Sequence, residues 1–267
     1  MAKRLALLVL GLVVTPVLAA PPVGAATPQR CPPAVAMTPL PSPAEGAQVA
    51  RAAPAAAPGT YSDRLRPTAL GWPVLDHWCV WIEPAGSQTA GNDPASAEAQ
   101  RQMQWQQAVV AALEQWQSLL PITVVERADQ AQVRIWRRRP PLQRLADGRT
   151  RASHGRSLLQ VLQVRRGNEE HPEPRVEVLL SPGQRALALQ ATALHELGHA
   201  FGLWGHSDEA GDAMAAVPGA APVLRLSPRD RATMRWLLHQ GDRLQTPSGP
   251  AQNQAAAPRP PQAPKAD

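Results

Sequence analysis

The chain has 267 residues, of which 44% are hydrophobic, so it can bury the core of one folded domain with flexible ends. Its formal net charge of +6 comes almost entirely from arginine. The densest run, Arg137-Arg138-Arg139, has no interleaved aromatic residue, which predicts a solvated basic surface and no nucleic-acid partner. Only 4% of the residues are aromatic, so alanine, leucine and valine must fill most of the core.

The first 26 residues have the composition of a secretory signal peptide. Lys3 and Arg4 precede a short apolar stretch at residues 5–14, and small residues follow it. The stretch is too short to span a membrane comfortably, and Pro16 interrupts it, so we expect no stable membrane insertion. An uncleaved anchor is the alternative. The sequence therefore predicts a protein that is secreted, periplasmic or held at the cell envelope.

Proline and alanine dominate both ends of the remaining chain, so the folded part is expected between them. We predict a linker or pro-segment without a fixed fold at residues 27–65, a folded domain at 66–242 and a disordered tail at 243–267. Export would permit a disulfide between Cys31 and Cys79, with two separately used thiols as the alternative.

Strand patterns surround one long helix in the first part of the folded region. Residues 76–83 form the first predicted strand, which Pro84 stops. Asp93-Pro94 offers a cap and a first-turn proline for a helix whose apolar residues recur at helical spacing until Pro121. Further strands are predicted at residues 122–126, 131–137, 157–164 and 175–180.

Two helices follow these strands. Ser181-Pro182-Gly183-Gln184 matches a capping box and predicts a helix that runs to about Phe201, where Gly202 closes it. Ser227-Pro228-Arg229-Asp230 predicts the start of the last helix, which ends near Gly241. Strands first and helices later predict an α+β domain. We expect one mixed, twisted sheet with a long helix, a histidine-bearing helix and a C-terminal helix.

The histidine-bearing helix carries a potential metal site. His195 and His199 are four residues apart, so both imidazoles lie on one helix face, one turn apart. Two imidazoles placed in this way can bind one tetrahedral metal ion at about 2.0–2.1 Å. Glu196 follows the first histidine and lies beside the metal, where it can accept a proton from a bound water.

A left-handed turn at Gly202 is expected to end the helix and bring His206 round as a third ligand. Three protein ligands leave a fourth position for water, which is typical of a catalytic rather than a structural metal site. Asp208, Asp212 or Asp230 could take the place of His206 in this role.

The motif His195-Glu196-x-x-His199-x-x-Gly202, followed by His206, resembles the metzincin clan of zinc peptidases and, within it, the matrixin-like branch. The resemblance implies one Zn²⁺ held by the three histidines, with Glu196 as the general base and Gly202 in the helix-ending turn. It also implies a metzincin-like catalytic domain. The expected protein is a secreted zinc endopeptidase, a monomer that cleaves protein or peptide substrates.

Two further features bear on this resemblance. Asp212-Ala213-Met214 is similar to the tight turn that places a methionine below the metal in the clan, so Met214 is the candidate for that methionine. An ordinary core methionine is the alternative. The second feature is a departure, because Gly205 stands where the third histidine is usual and His206 comes one residue later. A turn absorbs an extra residue more easily than a helix does.

The resemblance places an extended peptide antiparallel to an exposed edge strand, for which residues 157–164 are the candidate. A zinc hydrolase acting on cell-wall peptides and a peptide-binding module without catalysis are the alternatives. The stretch around Cys31 faintly resembles the pro-segment thiol that caps zinc in matrixins, so latency through Cys31 is a further hypothesis. Ca²⁺ could bind at Asp147-Gly148 or at Gly167-Asn168-Glu169-Glu170, but neither turn has a complete ligand spacing.

Overall fold

The computed structural model describes residues 31–40, 54–86, 96–144, 147–166 and 168–245. These residues form a mixed α+β fold, as the order of predicted elements indicates. The helices are α1 (Ala97–Gln117), α2 (Ala186–Ala200) and α3 (Pro228–Leu238). The strands are β1 (Ala36–Pro39), β2 (Trp78–Ile82), β3 (Ile122–Val125), β4 (Val133–Trp136), β5 (Gln143–Arg144), β6 (Thr150–Arg151), β7 (Gly155–Arg166) and β8 (Glu169–Leu180).

Six of these strands form one mixed sheet in the order β1-β7-β8-β4-β2-β3, while β5 and β6 pair separately. β8, β4, β2 and β3 run parallel to one another, and β7 joins β8 as a long antiparallel hairpin. Residues paired across neighbouring strands share a face, so Val80, Val133 and Val176 form one buried apolar row. This row belongs to the same core as the buried faces of α1 and α2.

Helix α1 lies against α2 and contributes large side chains to the core. Its N-cap is Ser96, whose hydroxyl accepts a hydrogen bond from the Ala99 N–H at 3.2 Å. The predicted cap at Asp93-Pro94 lies outside the described residues. Trp116 is fully buried, and its indole N–H donates to the Leu194 carbonyl of α2 at 3.0 Å. This bond fixes α1 against the helix that carries the histidines.

The predicted capping box at Ser181-Pro182-Gly183-Gln184 is wrong. Helix α2 begins later, at Ala186, and its N-cap Arg185 makes no capping bond through its side chain. The Ser181 N–H donates instead to the His154 carbonyl at 2.8 Å, and the Gln184 side-chain amide donates to the Ser181 carbonyl at 3.2 Å. The tetrapeptide therefore belongs to the turn between β8 and α2, because these hydrogen bonds link it to the preceding residues and not to the helix.

Helix α3 begins as the sequence predicts. The Ser227 hydroxyl accepts from the Asp230 N–H at 3.0 Å, and the Asp230 carboxylate accepts from the Ser227 N–H at 2.9 Å. These reciprocal bonds complete the capping box. The helix ends at Leu238, shortly before the predicted end near Gly241. Across the described ranges, none of the helices is long and apolar enough to cross a membrane.

The segment predicted to be a linker without a fixed fold contributes a strand to the sheet. β1 pairs antiparallel with β7 over four residues, all of them exposed. Cys31, just before β1, forms a disulfide with Cys79 of β2, so it is not available as a thiol that caps a metal. The Pro- and Ala-rich composition did not predict this strand. An edge strand is bonded to the sheet through its main chain, so it tolerates residues such as Pro39.

Residues 54–65 also belong to the fold. Tyr61 is fully buried, and its hydroxyl donates to the Asp230 carboxylate at 2.9 Å. Burial, followed by the neighbouring Asp230 charge, raises the pKa of Tyr61, so the hydroxyl keeps its proton. At the other end, the Gln245 N–H donates to the Leu70 carbonyl at 2.9 Å, beyond the predicted domain boundary at 242. The predicted signal peptide and residues 246–267 of the predicted tail lie outside the described residues.

Replacing both cysteines by serine is expected to lower the free energy of unfolding by up to about 4 kcal/mol, because the disulfide closes a long loop in the unfolded chain. The two cysteines are 48 positions apart. Urea denaturation of the double variant beside the wild type measures the difference. A thiol titration of the unfolded, unreduced wild type is the control. It should find no free thiol, and two free thiols would contradict the pairing.

Candidate metal centre

Three imidazoles meet at the C-terminal end of α2. His195 and His199 have ring centroids 4.8 Å apart, and the ring of His206 lies 5.2 and 4.8 Å from them. The Nε2 atoms of His199 and His206 are 3.2 Å apart. Two nitrogens bound to one tetrahedral zinc ion lie about 3.3 Å apart, so this spacing fits a shared cation. The structure therefore brings the three predicted ligands into one group that could hold a metal ion.

Main-chain carbonyl groups form hydrogen bonds with the Nδ1 atoms of His195 and His199. His195 Nδ1 lies 2.9 Å from the Ala213 carbonyl oxygen, and His199 Nδ1 lies 2.8 Å from the Leu203 carbonyl oxygen. A carbonyl oxygen can only accept, so each Nδ1 must carry the proton and each Nε2 must present its lone pair. The protein thereby selects the tautomer that a metal ligand needs.

Desolvation favours the uncharged form of these imidazoles. Desolvation lowers the pKa of His195 and of His206. It lowers the pKa of His199 to about 3, with the neighbouring His195 as the second cause. A histidine binds a metal ion only in its neutral form, so the group does not have to lose protons before a cation can enter.

The helix ends at a glycine because the chain takes a left-handed turn there. Gly202 has a φ of 111°, which residues with a side chain rarely adopt. A Cβ at this position would also lie 3.1 Å from the Pro73 carbonyl oxygen and from the side chain of Leu237. Gly202 therefore occupies the helix-ending turn that the sequence predicts, and the chain reverses toward His206.

The additional residue in the turn is Gly205, and the neighbouring chain requires a glycine there. A Cβ at this position would overlap the Arg64 carbonyl oxygen. The Arg66 N–H donates to the Trp204 carbonyl at 2.8 Å, so the turn lies along the N-terminal segment. Trp204 stacks on His199, with ring centroids 5.5 Å apart and an interplanar angle of 20°. The turn at Gly205 thus packs against residues 64–66, which lie between β1 and β2.

Met214 lies directly beneath the histidine-bearing helix. Its side chain is fully buried, and a Cβ added to Gly198 would overlap the Met214 Sδ and lie 3.0 Å from Trp116. A glycine inside this helix therefore lets the methionine pack against the helix. The Ser207 N–H donates to the Met214 carbonyl at 2.8 Å, which ties the loop to the residue after His206. Met214 also belongs to the hydrophobic core, so the Met-turn and the ordinary core methionine both stay predictions.

The buried carboxylate of Asp230 holds the Met214 loop in place. One oxygen accepts from the Ala213 N–H at 2.8 Å, and the other accepts from the Met214 N–H at 3.4 Å and from the Tyr61 hydroxyl. Ala213 also supplies the carbonyl that orients His195, so these bonds connect Asp230 to the metal group. The sequence interpretation missed this role, although the only tyrosine of the chain and the capping position of Asp230 were available signals.

The aspartates that could have replaced His206 have other partners. Asp208 pairs with Arg229 at 3.0 Å, and Asp212 pairs with the same guanidinium group at 3.1 Å. Asp230 makes the buried bonds described above. In the part of the chain that the structure describes, the histidine group includes His206 and none of these aspartates. His206 is therefore the third candidate ligand.

Glu196 follows His195 on α2 and is only 8% exposed. Desolvation raises the pKa of its carboxyl group to about 7, while a hydrogen bond from Ser157 opposes the shift. The Ser157 Oγ lies 2.8 Å from the Glu196 Oε2 and 2.8 Å from the main-chain oxygen of the same residue. A carboxyl group whose pKa is near neutral can both accept and release a proton, as a general base and acid must.

The turns considered for Ca²⁺ do not form ligand groups within the described ranges. The Asp147 carboxylate accepts a hydrogen bond from the Arg149 N–H at 3.0 Å, and Glu169 and Glu170 are exposed. Those ranges contain one other potential ligand group besides the histidines, formed by Cys31, His77 and Cys79. The disulfide uses both sulfur atoms of that group.

No model of a known protein family matches the sequence, and no curated protein matches it. The likeness to the metzincin clan therefore rests on the residues of the motif.

Removing one imidazole tests whether His206 is the third ligand. His206→Ala is expected to weaken Zn²⁺ binding by more than about a hundredfold, since even residues that only support a ligand are worth about 10- to 100-fold. Asp208→Ala removes a carboxylate two residues away and should leave the affinity nearly unchanged. Competition with a chelating indicator measures both affinities. Full affinity in His206→Ala would show that the third ligand is another residue.

The buried carboxyl group of Glu196 should make the stability of the metal-free protein depend on pH. Its pKa rises from 4.5 to about 7 on folding, so the folded state loses stability as pH rises through this range. The non-ionising variant Glu196→Gln does not incur this loss. Its advantage in unfolding free energy over wild type should grow by about 3 kcal/mol between about pH 4.5 and 8.

Urea denaturation at several pH values measures this advantage. The matched control is Glu114→Gln, which removes an exposed carboxylate on α1 instead of a buried one. An advantage of Glu196→Gln that does not change with pH would contradict a raised pKa.

Proposed function

We propose that this protein is an exported zinc endopeptidase with a metzincin-like catalytic domain. The observation that carries the proposal is that three imidazoles converge at α2, the helix that also carries the buried carboxyl group of Glu196. Three nitrogen ligands leave one coordination position for water, which is the arrangement of catalytic zinc sites. The antiparallel strand β7 and the order of the helices are compatible with the domain that the motif implies.

Different residues of the chain would have different roles in hydrolysis. His195, His199 and His206 would hold Zn²⁺, which supplies a Lewis acid for the peptide carbonyl and lowers the pKa of water. Glu196 accepts a proton from the attacking water as the new C–O bond forms. It returns that proton to the leaving nitrogen as the C–N bond breaks, so the carboxylate is regenerated at the end of each cycle.

Among the described residues, the edge of the sheet near Glu196 is unpaired over part of its length. Residues 157–164 are the predicted edge, but β1 covers residues 162–165. The Leu40 N–H also donates to the Val161 carbonyl at 3.0 Å. Within the described ranges, residues 155–160 of β7 pair only with β8. The open edge is therefore shorter than predicted, and it is the half that borders α2.

This open edge favours an extended peptide as the substrate. Alternate residues of an antiparallel strand direct N–H and C=O groups to the same side, so Ser157 and Leu159 present theirs outward, as Val161 does. A peptide that adds as a further strand would gain main-chain hydrogen bonds there. Because the Ser157 side chain contacts Glu196, such a peptide would pass close to the proposed general base.

Export is part of the proposal, and the disulfide between Cys31 and Cys79 supports it. Stable disulfides are typical of oxidising compartments and rare in the cytosol of most cells. An endopeptidase outside the cytosol would meet extended or partly unfolded peptide chains as substrates.

The zinc-loaded protein is expected to cleave casein or members of a peptide library, and a chelator should abolish the cleavage. Glu196→Gln should lower kcat by about 10²- to 10⁴-fold, the usual worth of a general base. The variant should still bind one equivalent of zinc, because its histidines are unchanged. Glu114→Gln is the control and should cleave at the wild-type rate.

Two results would favour other functions. Binding of one zinc equivalent without hydrolysis of any peptide would contradict an enzyme and favour a peptide-binding module. Hydrolysis restricted to cell-wall peptides would favour a cell-wall hydrolase on the same scaffold. Cleavage by Glu196→Gln at the wild-type rate would remove Glu196 from the mechanism.

A further inference from the structure

Two residues of strand β7 pack closely against the side chain of Glu196. Gly155 and Ser157 are two residues apart on this strand, so both lie on the same face of the sheet, toward α2. A Cβ at Gly155 would lie 2.7 Å from the Glu196 Cγ and 2.8 Å from its Oε1. It would also lie 2.5 Å from the Thr192 side chain. Glycine at position 155 therefore leaves the space that the Glu196 side chain occupies.

Ser157 holds the other oxygen of the same carboxyl group. Its Oγ is 2.8 Å from the Glu196 Oε2 and equally far from the Glu196 main-chain oxygen. A hydroxyl group has one proton, so it donates to one of these acceptors at a time. A charged carboxylate is the stronger acceptor. When Glu196 has taken up a proton, the hydroxyl can turn to the main-chain oxygen without moving its own oxygen atom.

We propose that Ser157, with Gly155 beside it, is a positioning residue for Glu196. The hydrogen bond from Ser157 fixes Oε2, which leaves Oε1 to exchange a proton with water and with the leaving nitrogen. The main chain of Ser157 lies on the open edge, where a peptide would bind, and its side chain bonds to Glu196. Ser157 would therefore contact both the bound peptide and the group that transfers the proton. The inference rests on the proposed function, because it assigns Ser157 to the same reaction.

A double-mutant cycle on the metal-free, full-length protein tests the contact without any activity. Unfolding equilibrium constants of wild type, Ser157→Ala, Glu196→Ala and the double variant are measured in urea at about pH 8. We expect a coupling of roughly tenfold, as for a hydrogen bond to a charged group. A coupling below about twofold, the usual limit for independent sites, would overturn the proposed contact.

Steady-state kinetics of the zinc-loaded protein test the positioning role. Ser157→Ala is expected to lower kcat roughly ten- to a hundredfold while KM and bound zinc stay nearly constant. Ser157→Thr keeps the hydroxyl on a residue type that strands favour and should recover most of kcat. The control is Ser153→Ala, which removes a serine hydroxyl without a hydrogen-bond partner among the described residues. It should behave as wild type.

An unchanged kcat in Ser157→Ala would overturn the positioning role, as would a Ser157→Thr variant that is as slow as Ser157→Ala. A wild-type protein that binds zinc and hydrolyses no peptide would instead overturn the proposed endopeptidase. The coupling in the metal-free protein would then still decide whether Ser157 holds Glu196.

Discussion

The buried carboxylate of Asp230 joins three parts of the chain that are distant in sequence. It accepts hydrogen bonds from Tyr61 in the N-terminal segment, from Ala213 in the loop below the histidines, and from Ser227 at the start of α3. A buried charge is tolerated only where such bonds replace those to water, so each partner must stay within reach. Because the Ala213 carbonyl binds His195, the orientation of the first ligand depends on the same carboxylate.

Around α2, three positions without a side chain allow three different neighbours to approach closely. The Met214 side chain packs close to Gly198, the Glu196 side chain packs close to Gly155, and the main chain of Arg64 packs close to Gly205. The first two approaches place Met214 and strand β7 against α2, while main-chain carbonyls fix the tautomers of His195 and His199. The surrounding fold therefore holds the candidate ligands in defined orientations, which reduces the reorganisation that metal binding would require.

Local patterns predicted most of the sheet and the start of α3, because strand alternation and a capping box involve residues close in sequence. The capping box predicted at Ser181 was wrong, because the Ser181 N–H bonds to the carbonyl of His154, the residue just before β7. Local patterns also missed β1, since an exposed edge strand held by main-chain bonds leaves no hydrophobic pattern. Each failure concerns a partner that lies many residues away.

The sequence by itself determined that His195, Glu196 and His199 share one stretch of helix, because a period of 3.6 residues is a local property of the backbone. It also determined the turn at Gly202, since only glycine adopts that φ readily. Only the tertiary structure brought His206, and none of the nearby aspartates, to the other two imidazoles, and it alone showed that Ser157 contacts Glu196. Those contacts depend on chain segments that meet in space, and no spacing within one segment encodes where the other will lie.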